Sequence, residues 1–278
     1  MLNIKSPRHL AYRLSVSEER LHQVITNINS FYQEITIYKK KQRKVVNVKE
    51  PLKTIQKKLL HLLYTETQIH PSAYGWSPGK SSIKNAACHI GHRAKLCIDI
   101  KDCFPNTHSS SVRKLFEEDL GCSPSVATML TKLTTYKYRL PQGSATSGYI
   151  INLLLRRLDS RLSKISNNLC YTRYGDDMTF SGDFISPNLK DKILSIIKRN
   201  GLPINHKKLQ YTCGEKTIQV TGLIPLRKRL IAPNLFMKNL RAAQFQLKRV
   251  SAQKKKKLQQ SITGRICYLK QIDKFSVR

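Results

Sequence analysis

Three carboxylates stand out in a chain that has few. Asp176 and Asp177 are adjacent in YTRYGDDMTFSG (residues 171–182), and Asp99 sits inside the apolar run LCIDI. An unpaired charge buried in such a strand costs several kcal/mol, so something must compensate it. For three acids brought together the simplest compensation is one or two divalent cations with oxygen ligands. Two such ions, roughly 3.5 to 4 Å apart, carry out phosphoryl transfer: one lowers the pKa of an attacking hydroxyl, the other holds the leaving pyrophosphate, and Asp99 would bridge them. A lone Asp-Asp pair is by itself an ordinary polar turn. The chemistry therefore depends on whether the fold brings Asp99 to that turn.

The surrounding pattern predicts elements able to do this. Tyr171 and Arg173, then Met178 and Phe180, alternate around Gly175, which predicts two short strands with the acids at the hairpin tip. KLCIDIKDCF predicts a strand, followed by a helix near Ser109 to Leu120 capped by the hydroxyls of SSSV. Upstream, residues 1 to about 30 predict helix, Glu34 to Val48 a hairpin around the basic turn KKKQRK, Leu52 to Tyr64 a helix, and YGWSPGKSSIKN a turn-rich stretch. A loop leads into a helix at LPQGSATSGYIINLLLRRLDSRLSKI. After the hairpin come a helix at about Ser186 to Asn200, the turn NGLPIN, and short strands around KKLQYT and KTIQVTGLIP. The remainder predicts basic helices, one of them at Asn239 to Arg249. No repeat and no long Pro/Gly/Ser linker separates these parts, so they are expected to pack together.

Composition points to the partner. The 278 residues carry 50 Lys and Arg against 17 acids, a formal charge of +33, and a surface so charged repels itself unless a polyanion neutralises it. From Arg227 to Arg278 there are 15 basic residues against Asp273 alone, 15 − 1 = +14, which marks a phosphate-contacting surface. No run approaches the ~18 apolar residues of a membrane span and no signal peptide precedes the fold, so a soluble, cytoplasmic protein without a membrane partner is expected. Seven scattered cysteines without a C-x-x-C pair fit free thiols in a reducing compartment. Cys88, His89, His92 and Cys97 form one compact group of zinc-type donors. Structural sites usually pair ligands across two knuckles and Cys97 lies in an apolar run, so zinc is not the expected reading.

With these residues in view, YGDD resembles the Y-x-D-D box of reverse transcriptases. CIDIKDCFPNT resembles their first metal-binding strand, and LPQGSATSGYIINLLLRRLD the P-Q-G loop and helix beneath the incoming nucleotide, in the family's order. YGWSPGKSSIKNAACH, GLPINHKKLQY and VTGL resemble the N-A-x-x-H segment, lysine-bearing turn and V-T-G box of the bacterial retron branch. The resemblance covers about residues 35 to 225, with a weaker echo in GRICYLKQID. It implies an α+β right-hand polymerase fold: fingers over 1–95 with an N-terminal helical segment, a palm with an antiparallel sheet over 96–224, with part of the fingers interleaved, and a basic helical thumb over 225–278.

Residue by residue, the resemblance makes Asp99, Asp176 and Asp177, with the Ile100 carbonyl, the ligands of two Mg²⁺ ions, for which Mn²⁺ could substitute. Phe104 matches the aromatic gate that excludes a 2′-hydroxyl and so favours dNTPs. Gln142 and Gly143 border nucleotide and template, Gly143 by allowing close backbone approach. Arg43 matches the residue that grips the triphosphate with a forked guanidinium. Lys208 matches the lysine near the pyrophosphate that acts as general acid, with the adjacent Lys207 left as the alternative. Asn85, His89, Thr221 and Gly222 fall in RNA-recognition motifs. Arg241, Lys248, Arg249 and Lys254, Lys255, Lys256 and Lys257 are the thumb's candidate RNA contacts. Two features depart from the pattern: retron enzymes usually have Ala at Gly175, and Gly-Asp-Asp is commoner in viral RNA polymerases. Those polymerases, however, place a second Asp where Phe104 stands.

The resemblance thus implies an RNA-directed DNA polymerase copying part of its own structured noncoding RNA into a short, RNA-linked cDNA (msDNA) within a bacterial anti-phage retron. It also implies dNTPs, an accessory effector protein and, with no ribonuclease H domain expected after the thumb, a host ribonuclease H as partners. The alternatives are a group II intron-like or other bacterial reverse transcriptase, and a non-catalytic RNA-binding scaffold derived from a polymerase.

Overall fold

A computed structural model describes residues 1–278 except 39–41, 215, 248 and 276–278; of 42, 43, 252 and 253 it describes the backbone alone. In chain order the elements are α1 (Pro7–Arg13), α2 (Glu18–Thr26), β1 (Tyr32–Tyr38), β2 (Gln42–Val48), α3 (Leu52–Glu66), α4 (Ser82–Ala87) and β3 (Ala94–Asp99). Then come α5 (Cys103–Asn106), α6 (Ser109–Lys114), α7 (Pro124–Thr134), α8 (Ser147–Leu154), α9 (Arg156–Ile165), β4 (Cys170–Tyr174) and β5 (Asp177–Gly182). The chain closes with α10 (Pro187–Arg199), β6 (Gln210–Cys213), β7 (Ile224–Pro225), β8 (Leu230–Ile231), α11 (Asn234–Leu247) and α12 (Ala252–Asp273). They form two compact units, one of residues 1–78 and 101–161, the other of 79–100 and 162–278.

In the first unit, α1, α2, α3 and α6 pack on α7, whose apolar residues Val126, Met129, Leu130 and Leu133 are buried. Ser6, Ser17 and Ser123 cap α1, α2 and α7 through their hydroxyls, as Ser-Pro and Ser-Glu starts direct. The expected helix over 109–120 forms, but its cap differs. His108 stands at the N-cap without a side-chain bond to the helix, its ring meeting Arg139 Nη1 at 2.6 Å instead, and the helix widens into a π turn over Leu115–Asp119. β1 and β2 make the expected antiparallel hairpin, with Ile37 opposite Arg43; the tip at 39–41 lies outside the described residues.

Buried Gln56 of α3 links several parts of this unit. Its amide donates to Leu133 O (2.8 Å) and Tyr32 Oη (3.0 Å), while its oxygen accepts from Ser144 Oγ (2.9 Å) in the loop after Pro141-Gln142-Gly143. That loop also meets β2, because Val46 N donates to Gln142 O at 2.8 Å. At Gly143, φ is +111° and an added Cβ would lie 2.2 Å from Val46 O. Gly143 thus lies close against the backbone of β2.

The second unit contains the four-stranded antiparallel sheet, in the order β4-β5-β3-β6. Alternate side chains fall on opposite faces of a strand. Leu96, Ile98, Met178 and Phe180 are buried on one face, with Tyr171 stacked on Phe180 at 4.6 Å. Lys95, Cys97 and Asp99 of β3, Asp177, Thr179 and Ser181 of β5, and Cys170 and Thr172 of β4 share the other, polar face. YGWSPGKSSIKN is turn-rich up to Ser81, which accepts from Lys84 N and starts α4, whose Ile83 and Ala86 pack with Val220, Leu223, Leu230 and Ile272. The helix expected at 239–249 starts earlier than its basic residues indicated, at Asn234, and packs on α12 through Leu240, Ala243 and Ile262.

Gly143→Ala is expected to destabilise the protein by about 2 kcal/mol or more, since backbone strain and a backbone clash add. Gly201→Ala, at φ +73° with open space around it, should cost only the left-handed backbone term, about 1 kcal/mol. Denaturant unfolding of the two variants checks the difference.

Candidate active site

The sheet brings the three acids together. Asp99 ends β3 directly opposite Asp177, the first residue of β5. Tyr174 pairs with Asp177, so Gly175 and Asp176 are the two residues of the connecting turn. Gly175 adopts φ 67°, where glycine at the first central position suits a tight hairpin. Its carbonyl accepts from buried Arg173 Nη1 at 2.9 Å, and Asp176 O accepts from Ile100 N at 3.0 Å, locking the turn to the end of β3.

Asp99 is buried, and two partners meet its carboxylate. Asn205 Nδ2 donates to Oδ2 at 2.9 Å and the Lys208 ammonium to Oδ1. Asn205 N also donates to Asp99 O at 2.9 Å, and Ile204 bridges Ile100, so NGLPINHKK is fastened to the strand end by backbone and side chain. It is Lys208, not Lys207, that meets the acid, and its bond to Asp99 raises the Lys208 pKa. Asp177 reaches solvent on one side, yet the protein around its carboxyl, then the charges of Asp176 and Asp99, push it up to about 6. A site of oxygen donors at which one carboxyl resists ionising gains from added positive charge. Lys208 already supplies one cation. The donor set fits hard divalent ions such as Mg²⁺.

The other candidates fall in several places. In the first unit Phe104, on α5, is buried and meets Trp76 edge-on at 5.5 Å. Gly148 of α8 lies beneath that indole, an added Cβ meeting Trp76 Cδ2 at 2.2 Å. Gln142 is half-buried and Gly143 exposed, while Arg43 lies on β2 with its side chain outside the described residues. In the second unit Asn85 and His89 face inward: Asn85 Nδ2 lies 3.5 Å from Thr221 Oγ1, and both His89 nitrogens meet hydroxyls, Ser181 Oγ at 2.6 Å and Thr172 Oγ1 at 2.7 Å. They shape the surface around them without forming it. Thr221 and Gly222, at φ 47° and 82°, make a tight turn closed by Val220 and Leu223, and Thr221 Oγ1 donates to Ser82 O at 2.8 Å.

Arg241 is exposed on α11, Arg249 lies over the Phe245 ring at 4.3 Å, and Lys248 is outside the described residues. Lys254, Lys255, Lys256 and Lys257 are exposed in the first turns of α12, so this run is helical. Sequence reasoning missed two residues. Asn205 was visible only as the Asn of LPIN, and Trp76 only as the single tryptophan; neither has a pattern that announces a partner far along the chain.

A family model described as reverse transcriptase (RNA-dependent DNA polymerase) matches residues 29–224. Retron Ec86 reverse transcriptase of Escherichia coli is 33% identical over 75% of this chain and 68% of its own length. Retron Se72 reverse transcriptase of Salmonella heidelberg (strain 579083-10) is 30% identical over 76% and 56%, and Retron Mx65 reverse transcriptase of Myxococcus xanthus 33% identical over 63% and 46%. The matched part thus spans between about half and two thirds of these relatives' lengths. Among solved structures, telomerase from Candida albicans with a TWJ fragment of telomeric RNA superposes with a TM-score of 0.52 at 13% identity, over 79% of this chain and 51% of that one. Apo telomerase from Candida tropicalis, truncated of its C-terminal domain, gives 0.50 at 13% identity over 78% and 61%. The chain belongs to the reverse transcriptase (RNA-dependent DNA polymerase) family, in its bacterial retron branch, and has the α+β right-hand polymerase fold.

Proposed function

We propose that the chain copies part of a structured noncoding RNA of its own retron into a short, RNA-linked cDNA (msDNA), using dNTPs, as the polymerase of an anti-phage system in the bacterial cytoplasm. The observation that carries this reading is the meeting of Asp99 with Asp176 and Asp177 at one end of the sheet in a chain of this family. In it, the four-stranded sheet serves as the palm, the β1–β2 hairpin belongs to the fingers, and α11 and α12 form the thumb. An accessory effector and a host ribonuclease H would complete the system.

Asp99, Asp176 and Asp177, with the Ile100 carbonyl, would hold two Mg²⁺ ions, or Mn²⁺ in their place. When bound, these supply the Lewis acidity that activates a primer hydroxyl and stabilises the pyrophosphate. Asn205 orients Asp99. Lys208 Nζ, kept protonated at the site by Asp99, donates its proton to the leaving pyrophosphate oxygen. Arg43 grips the triphosphate, Gln142 and Gly143 border the base pair, and Phe104, braced by Trp76, closes the space a 2′-hydroxyl needs. The thumb's basic residues hold the RNA–DNA duplex by its phosphates.

Asp176→Asn and Asp177→Asn should each lower primer extension roughly a thousandfold while leaving RNA affinity unchanged, because metal ligation and phosphate contact are separate functions. Mg²⁺ tenfold above its Kd should stabilise the wild type by about 1.4 kcal/mol in thermal unfolding, and Asp177→Asn by much less.

Phe104→Ala should raise incorporation of NTP relative to dNTP by roughly tenfold or more, and Trp76→Ala should shift it in the same direction by loosening the ring. Single-nucleotide incorporation with matched NTP and dNTP measures both.

Consecutive helical residues turn by ~100°, so Lys254 and Lys257 share a face of α12 that Lys255 and Lys256 do not. Replacing that pair with Gln should reduce the slope of log K against log salt for RNA by about 0.7 to 0.9 per lost phosphate contact. Replacing Lys255 and Lys256 should change it less, and extension on a short generic primer-template should survive both.

A further inference from the structure

The polar face of the sheet carries a second cluster. It lies at the opposite end from the acids: Ser181 follows Asp177 along β5 by roughly 13 Å at ~3.3 Å per residue. Cys170 of β4 is the register partner of Ser181. The segment after α4 places His89 and His92 against this corner. His89 Nδ1 lies 2.6 Å and His92 Nδ1 2.7 Å from Ser181 Oγ, and the Cys170 thiol bonds the same hydroxyl. Cys170 also hydrogen-bonds the Cys88 thiol, which in turn reaches the Lys84 carbonyl at 3.3 Å.

Two imidazole nitrogens and a thiol thus converge on one small hydroxyl, with a second thiol adjoining. The ligating atoms of His89, His92 and Cys170 all lie within 4.8 Å of one another. A tetrahedral zinc with bonds of ~2.0 to 2.3 Å holds its donors roughly 3.4 to 3.8 Å apart, so closure of these three needs about 1 Å of side-chain movement and Cys88 must swing in as the fourth. We propose that His89, His92, Cys170 and Cys88 form a structural site for a tetrahedral divalent metal of the zinc class, tying the segment after α4 to the edge strand β4.

The neutral imidazoles suit this, whereas the thiol must lose its proton on binding. Burial above all holds His89 near pKa 3, and burial with Lys95 lowers His92, so both rings stay neutral, the form that binds metal. The bond to Cys88, then burial, raises Cys170, so metal uptake displaces thiol protons. Two thiolates would balance the dication beside Lys95, whose ammonium rests on the His92 carbonyl at 2.6 Å. With metal on Nδ1, the Nε2–H of His89 donates to Thr172, the outer contact that fixes a ligating ring. His92, Cys88 and Cys170 are only half-buried and give the ion a way in. The compact sequence group included Cys97, but that thiol sits farther along the face opposite Thr179, at 3.8 Å, and burial pushes it up to about 11. Cys170 takes its place.

The test uses the full chain, stripped with a chelator and titrated with Zn²⁺ and, as a spectroscopic probe, Co²⁺. One equivalent of Zn²⁺ should bind and raise the unfolding temperature, and Co²⁺ should give intense tetrahedral ligand-field bands with a thiolate charge-transfer band. Cys170→Ser and His92→Ala should weaken Zn²⁺ binding by about 100-fold or more, whereas Asp177→Asn should leave it intact. Unfolding of the metal-free variants reports whether they fold, and the wild-type Co²⁺ spectrum decides without them. A weak octahedral spectrum without charge transfer, or Zn²⁺ uptake lost in Asp177→Asn and kept in Cys170→Ser, would overturn the proposal. Because no readout is polymerisation, failure of this site is distinguishable from failure of the proposed activity.

Discussion

Asp99 and Asp177 face each other across paired strands, with Asp176 beside them in the turn. Opposed side chains lie about 5 Å apart, where two carboxylates at an effective dielectric of ~20 repel by about 3 kcal/mol, less where Asp177 meets water. Much of the local structure restrains that repulsion. Lys208 and Asn205 bind the Asp99 carboxylate, Ile100 N ties the turn to β3, and Asp177 resists ionising. A fold that only needed to be stable would have placed apolar residues there. The arrangement gains most when further cations arrive, which is the condition the proposed nucleotidyl transfer would use.

The same face of the sheet is polar from end to end, yet Lys95, Asp99, Thr172, Thr179 and Ser181 on it are buried. Thr172, Thr179 and Ser181 carry hydroxyls between the acids and the His–Cys corner, and His89 uses two of them. Burying these groups is tolerable only because each finds a partner. The apolar side, Leu96, Ile98, Met178 and Phe180, supplies the burial that keeps both ends in register.

Charge acts on a larger scale. A formal +33 weakens the isolated chain by self-repulsion and favours binding to a polyanion. α12 shows this locally, since Lys254, Lys255, Lys256 and Lys257 sit at the positive end of a helix dipole where acids are usually preferred. Phosphates lying there would relieve the repulsion among these lysines and with the helix terminus.

The strand of Asp99, the Asp176-Asp177 hairpin, the β1–β2 hairpin and most helices were legible in the sequence because their signals are local: alternation, a Gly in a tight turn, Ser before Pro or Glu. The family's motifs were legible for the same reason, as short strings in a fixed order. Contacts between distant residues were not. Nothing in LPIN says that Asn205 will hold Asp99, and nothing around Trp76 says that it will meet Phe104. The inward turn of Asn85 and His89, the replacement of Cys97 by Cys170, and the spread of four lysines around α12 were likewise decided by packing. Sequence by itself determined which groups the protein has and the periodicity of the elements that carry them. Tertiary structure decided which of those groups meet, because strand register and helix face are set by apolar burial summed over many residues far apart in the chain.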